Sequence, residues 1–262
     1  NLLYSDSLDL NRVGDVFEES FIRIWYGDAE DDGLNRLVLA TRKNWRQISI
    51  LRAYSRYLKQ IRLEFSQKFI ADTLLKHVEI TSLLIEFFIL KFSVVDVTED
   101  HSQELDHASQ AIRQLLENVS LLNEDRILRR YLELMENTFR TNFFQHDSDG
   151  RIKPYISLKI DARNLSGIPE PKPNFEIFVY SPRVEGVHLR FGEFARGGLR
   201  WSDRLEDFRT EILGLVKAQQ VKNAVIVPGG AKGGFVVKNL PAGREQMQQE
   251  VQACYRTFIR GL

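Results

Sequence analysis

The spacing of apolar residues changes near residue 145, and this change constrains the fold more than any other feature of the sequence. Before it, apolar residues recur at three- and four-residue steps, the spacing of one buried face of an α-helix. Three such stripes comprise Ile48, Leu51, Tyr54, Leu58 and Ile61; Leu105, Ala108, Ile112, Leu115, Val119 and Leu122; and Leu128, Tyr131, Met135 and Phe139. Residues 66–92 are apolar enough for one long buried helix. We therefore predict a helical domain over residues 1–145.

After the polar, turn-forming run at 145–150, the sequence takes on the patterns of strands interleaved with helices. Strand-like segments lie at 155–160, 175–180, 187–191, 224–227 and 235–237, and helical spacing returns at 204–222 and 242–259. Such interleaving is typical of layered α/β structure. We predict a mixed α/β domain over residues 146–262, so that the fold class is α/β with a helical domain first.

Composition excludes several classes of function. Lys plus Arg equals Asp plus Glu at 36 each, so no net charge favours nucleic acid or an anionic membrane. The most apolar stretch, 80–92, is far shorter than the roughly 20 residues of a membrane-spanning helix. The five histidines and the single cysteine have no metal-ligand spacing. We expect no metal, nucleic-acid or membrane partner, and a chain so poor in cysteine and without a leader is typical of the cytoplasm.

Chemistry-bearing residues concentrate in the last third of the chain. A run at 196–200 combines two arginines with two glycines, Lys217 and Lys222 share a predicted helix, and Lys232 lies inside the glycine-rich run 229–234. Glycines let a backbone approach a ligand closely or adopt positive φ, and gathered cations lower the pKa of a lysine toward neutrality. This cluster suits a substrate that bears a carboxylate. The plainer interpretation is a tight turn with a solvated lysine.

Two nucleotide-binding patterns are excluded by spacing. Lys232 is followed by Gly233 instead of Ser or Thr, so the run is not the phosphate loop of nucleoside triphosphatases. No G-x-G-x-x-G run follows a predicted strand, so we expect no dinucleotide site within the chain. Lys217 lies five residues before Lys222, off its face, and is best explained as a solvated side chain.

Residues 195–236, with ARGGLRWSDR at their start and GGAKGGFV at their end, resemble the active-site core of the large NAD-specific glutamate dehydrogenases. Residues 25–60 and 176–198 resemble the same family. The resemblance implies the oxidative deamination of L-glutamate to 2-oxoglutarate and ammonium with NAD, in an oligomeric enzyme. It also implies that the catalytic aspartate and the Rossmann domain for NAD lie beyond residue 262, so we expect the isolated chain to be inactive.

The resemblance assigns roles to individual residues. Lys232 corresponds to the catalytic lysine, and Lys222 corresponds to the lysine that holds the α-carboxylate of the substrate. Gly197 and Gly198 correspond to the backbone edge of the pocket, and Gly230 is a further candidate for substrate binding. Arg196 replaces the usual lysine and fits a carboxylate in a bidentate manner; Arg200 is a further candidate cation for the substrate.

Two alternatives stay open. Another amino-acid dehydrogenase would share the lysine run but replace the cations for the side-chain carboxylate with apolar residues. A regulatory or assembly module would bind an anion at the glycine run without chemistry, and its Lys232 would face solvent away from Lys222 and Arg196.

Overall fold

The computed structural model describes residues 10–93, 99–192, 197–223 and 230–262, and it describes side chains there except at 10–13, 99 and 219–223. The chain divides into two compact units. Unit 1 consists of residues 1–52, 66–91 and 96–129, and unit 2 of 53–65, 92–95 and 130–262. Helices come first and a mixed sheet follows, which confirms the predicted α/β class. The domain boundary at 145 stays a prediction.

In the described residues before the sheet, the regular elements are helices joined by turns and short loops. The α-helices are α1 (Leu10–Trp25), α2 (Arg36–Thr41), α3 (Trp45–Gln60), α4 (Gln67–Lys76), α5 (Val78–Ser93), α6 (Glu99–Leu116) and α7 (Leu122–Glu136). The stripe predicted over 48–61 is buried at every position. Among the described residues, no helix combines the length and apolar character needed to cross a bilayer.

The single helix predicted over 66–92 is wrong, because the chain breaks at His77 into α4 and α5. His77 leaves helical geometry with φ −105° and ψ 57°. Its Nε2 lies 2.8 Å from Glu124 Oε2, and Lys76 Nζ donates to Glu124 Oε1 at 2.8 Å. Hydrogen bonds from His77 and then Lys76 lower the pKa of the Glu124 carboxyl. Glu124 thus contacts both residues at the break between α4 and α5.

The third stripe also ends earlier than predicted, since Phe139 lies on a strand. Helix α7 ends at Glu136, and Thr138–Thr141 form β1. The Thr138 hydroxyl donates to the Leu134 carbonyl at 2.7 Å, and the Asn137 carbonyl accepts from Asp161 N–H at 2.8 Å. These bonds satisfy backbone groups where the helix stops and the chain joins the sheet edge.

Unit 2 is built on one mixed sheet. In the described residues its further elements are β2 (Ile156–Ile160), β3 (Phe175–Tyr180), β4 (Val184–Arg190), β5 (Leu199–Trp201), α8 (Phe208–Asn223), β6 (Ala231–Val237) and α9 (Arg244–Gly261). The strand order is β1-β2-β3-β4-β6-β5. Only β5 and β6 run parallel among these neighbours, and α8 connects them. The strand predicted at 224–227 lies outside the described residues.

The two sides of this sheet have different partners. On the side covered by α9, Ile177, Val179, Val184, Phe235 and Val237 pack with Cys254 and Phe258 in an apolar core. We call this the α9 side. Strand alternation places Glu176, Lys232 and Gly234 on the other side, where Ile212 and Arg209 of α8 lie. We call it the α8 side.

A fully buried ion pair joins α8 to the sheet. Arg209 Nε donates to Glu176 Oε2 at 2.9 Å, a second guanidinium nitrogen reaches Oε1, and neither side chain is exposed. Tyr57 donates to Glu176 Oε2 at 2.9 Å, while Gln60 Oε1 accepts from the Arg209 N–H at 3.2 Å. Burial lowers the pKa of Arg209, but the contributions of Glu176 and Tyr57 together exceed that of burial and raise the pKa. The Arg209 guanidinium therefore stays charged at neutral pH.

Replacing Arg209 by leucine leaves Glu176 buried and uncompensated, and we expect a loss of about 3–5 kcal/mol in the free energy of unfolding. Tyr57→Phe removes one hydrogen bond and costs about 1 kcal/mol. We expect the double variant Glu176→Leu with Arg209→Met to recover part of this lost free energy of unfolding, because it leaves no unpaired buried charge. Urea denaturation of the purified chain measures these differences. A double variant less stable than Arg209→Leu would contradict this account.

Candidate active site

Lys232 is the second residue of β6 and lies between two neighbouring strands. It pairs with Leu189 of β4, and the following residue, Gly233, pairs with His188 on one side and Leu199 on the other. The side chain is half-buried on the α8 side of the sheet. A lysine that begins an inner strand has its backbone held by hydrogen bonds, so its ammonium group is presented from a rigid base.

The segment that precedes β5 passes close to Lys232. The Gly198 carbonyl accepts from Gly233 N–H at 3.2 Å, and a Cβ built on Gly198 would lie 3.6 Å from Lys232 Nζ. A Cβ built on Gly197 would lie 1.5 Å from the Ala231 carbonyl oxygen. The two glycines therefore let this backbone lie against the start of β6, directly beside the ammonium group.

Gly233 and Gly234 lie in the extended strand β6, so neither is a glycine for the sake of positive φ, and both serve close packing. A Cβ on Gly233 would meet Leu199 Cδ2 at 2.4 Å, and one on Gly234 would meet Ile212 Cδ1 at 2.3 Å. Gly230 is buried, and its carbonyl accepts from Phe191 N–H at 3.2 Å. These glycines bring strands and α8 together behind Lys232.

Arg200 lies on β5 and is held by an acidic residue that the sequence analysis missed. Its Nε lies 2.6 Å from Glu211 Oε1, and the Ser202 hydroxyl donates to Glu211 Oε2 at 2.5 Å. The Arg200 side chain is 57% exposed, whereas that of Glu211 is 14% exposed. Glu211 therefore orients Arg200 from the first turn of α8. No sequence pattern links residues 11 apart on a strand and a helix.

The remaining predicted site residues are placed less completely. Lys222 is the second-to-last residue of α8, and its side chain lies outside the described part. Arg196 also lies outside the described residues. The structure thus brings Lys232, Gly197 and Gly198 together and places Gly230 and Arg200 on the adjoining segments, while the positions of the Lys222 and Arg196 side chains stay predictions.

The sequence of this chain is similar to those of known proteins. The family model described as bacterial NAD-glutamate dehydrogenase, catalytic domain, matches residues 111–262, and the model described as glutamate dehydrogenase, helical motif 3, matches residues 29–94. The chain is 53% identical to the NAD-specific glutamate dehydrogenase of Halomonas elongata over 100% of its length, and 53% identical to that of Pseudomonas aeruginosa over 99%. The Mycobacterium tuberculosis enzyme of the same name is 46% identical over 94% of the chain.

In each of these three cases the chain spans only 16% of the length of the relative. The match to the catalytic-domain model nevertheless extends over more than half of the chain, from residue 111 to residue 262, and it includes every candidate site residue. The chain therefore belongs to the family of bacterial NAD-glutamate dehydrogenases.

Proposed function

We propose that this chain forms the substrate-binding part of an enzyme that oxidatively deaminates L-glutamate to 2-oxoglutarate and ammonia with NAD. The observation that carries the proposal is the placement of Lys232, held at the start of an inner strand with the Gly197–Gly198 backbone beside its ammonium group. The family of the chain supports the reaction. An oligomeric enzyme in the cytoplasm is part of the same proposal.

Lys232 is the proposed catalytic residue. Its ammonium group polarises the oxygen that develops on the substrate carbon, or as the free amine it activates the water that replaces nitrogen. A lysine suits this task because it presents a compact charge on a flexible stem. Its fixed backbone limits the volume that the ammonium group explores, which keeps it close to a bound substrate.

The other candidates bind the substrate. Lys222 holds the α-carboxylate, and Arg196 takes a carboxylate in a bidentate manner. Glu211 occupies the Nε side of Arg200, and we propose that the terminal nitrogens of Arg200 bind a substrate carboxylate. Gly197, Gly198 and Gly230 supply the backbone edge of the pocket.

The glycines around Lys232 do not fit the phosphates of NAD. Gly233 and Gly234 are paired within the sheet and packed against Leu199 and Ile212, so no space remains there for a pyrophosphate. We therefore propose that NAD binds another part of the protein, and the family resemblance implies the same location for the catalytic aspartate. On this proposal the chain alone binds the substrate and catalyses no hydride transfer.

Titration of the purified chain with L-glutamate and 2-oxoglutarate, by calorimetry or NMR, tests the substrate assignment. We expect binding that is selective over leucine and that falls at least tenfold in Lys222→Ala and in Lys232→Ala. Lys217→Ala is the matched control, since Lys217 is exposed on the same helix as Lys222. A folded parent that binds leucine equally well would favour another amino-acid dehydrogenase. A folded parent that binds none of the three would favour an assembly module.

Alanine substitutions at Gly197 and Gly198 distinguish an effect on ligand binding from an effect on the stability of the fold. A Cβ at Gly198 makes an ordinary contact at 3.6 Å from Lys232 Nζ, so we expect Gly198→Ala to fold normally and to weaken binding of 2-oxoglutarate. A Cβ at Gly197 would overlap the Ala231 carbonyl, so Gly197→Ala should lower the melting temperature. Calorimetry and thermal melts check both effects. Equal melting temperatures for the two variants would contradict the packing described here.

A further inference from the structure

Three basic residues gather on the α9 side of the sheet, across the sheet from Lys232. Arg140 of β1 pairs with Lys159 of β2, and Lys159 pairs in turn with Ile177 of β3. Arg190, at the end of β4, pairs with Phe175 of β3. Strand register places Arg140 and Lys159 in the row that contains His188 and Gly233, and alternation places Arg190, two residues after His188, on the same side. We call Arg140, Lys159 and Arg190 the cationic cluster.

Aromatic rings and a neutral histidine fix the geometry of the cluster. Lys159 Nζ lies 4.6 Å from the centroid of the Phe175 ring, and Phe139 packs edge-on against the same ring at 5.6 Å. Arg190 Nε donates to His188 Nδ1 at 3.1 Å. Burial and then Arg190 lower the pKa of His188 to about 4. The histidine is therefore neutral at pH 7 and acts as an acceptor that orients Arg190.

The positive charge of the cluster is not balanced within the described residues. In the part of the chain that the structure describes, no carboxylate forms an ion pair with Arg140, Lys159 or Arg190. Arg163 also approaches the Phe175 ring, at 5.6 Å, but Asp161 pairs with it at 3.4 Å. Burial, then Arg140 and then Arg190 lower the pKa of Lys159. The three cations thus repel one another where two of them are half-buried.

We propose that the cationic cluster is a binding site for a phosphate-type oxyanion. Phosphate carries up to two negative charges, which suits three cations better than a single carboxylate does. Arg190, held at Nε by His188, presents its terminal nitrogens as a planar fork. Lys159 supplies a compact charge beside it, and Arg140 closes the exposed edge. The site is distinct from the carboxylate pocket at Lys232, which lies on the α8 side.

The test is a thermal melt of the 262-residue chain at constant ionic strength, with inorganic phosphate or acetate exchanged for chloride. A ligand that binds only the folded chain raises its melting temperature. We expect phosphate to raise the melting temperature of the parent and acetate to leave it unchanged. We expect Lys159→Gln with Arg190→Gln to abolish the phosphate effect, and Lys217→Gln to retain it. In chloride alone, Lys159→Gln should be at least as stable as the parent, because it removes repulsion.

NMR titration with phosphate gives the affinity independently of stability, and we expect at least tenfold weaker binding in the double variant. A parent whose melting temperature and spectra do not respond to phosphate overturns the proposal. Equal effects of phosphate and acetate overturn it as well. So does an undiminished phosphate effect in the double variant.

Discussion

The start of β6 has β4 on one side and the segment that leads into β5 on the other. Side chains cannot occupy the positions where these backbones come closest, which is why Gly197 lies against the Ala231 carbonyl and Gly234 against Ile212. The resulting close packing fixes the backbone of Lys232. The buried pair between Arg209 and Glu176 then holds α8, which carries Lys222 and Glu211, against the same sheet.

The sheet also keeps its two groups of cations apart. The α8 side carries Lys232 and Arg200, whose guanidinium group is paired with Glu211. The α9 side carries the cationic cluster next to Phe175 and His188. Charges of one sign within a few ångströms of each other cost free energy unless a ligand or a carboxylate compensates them. The proposed substrate and the proposed oxyanion each supply such compensation, on opposite sides of the same sheet.

Local sequence patterns predicted which segments form helices and which form strands, but they did not predict the contacts between residues distant in the sequence. The buried stripe over 48–61 follows from its helical period, whereas the strands at 175–180 and 235–237 follow from their apolar, strand-type composition, since both faces of each are buried. The break at His77 coincides with a contact to Glu124, and the end of α7 with pairing of the following strand to β2; both partners are distant in the sequence. Glu211 and the Arg209–Glu176 pair likewise arise from tertiary packing. The roles of the candidate site residues came from family resemblance, because spacing alone leaves a solvated lysine equally acceptable.

The steady-state rate of glutamate oxidation by the whole protein, with Lys232→Met compared against Lys217→Met, tests the central claim most directly. Methionine preserves much of the stem of lysine and removes its charge. The account predicts that Lys232→Met lowers kcat at least a hundredfold without a change in melting temperature, whereas Lys217→Met retains the parent rate. A folded Lys232→Met enzyme with a parental kcat would contradict the assignment of Lys232 as the catalytic residue.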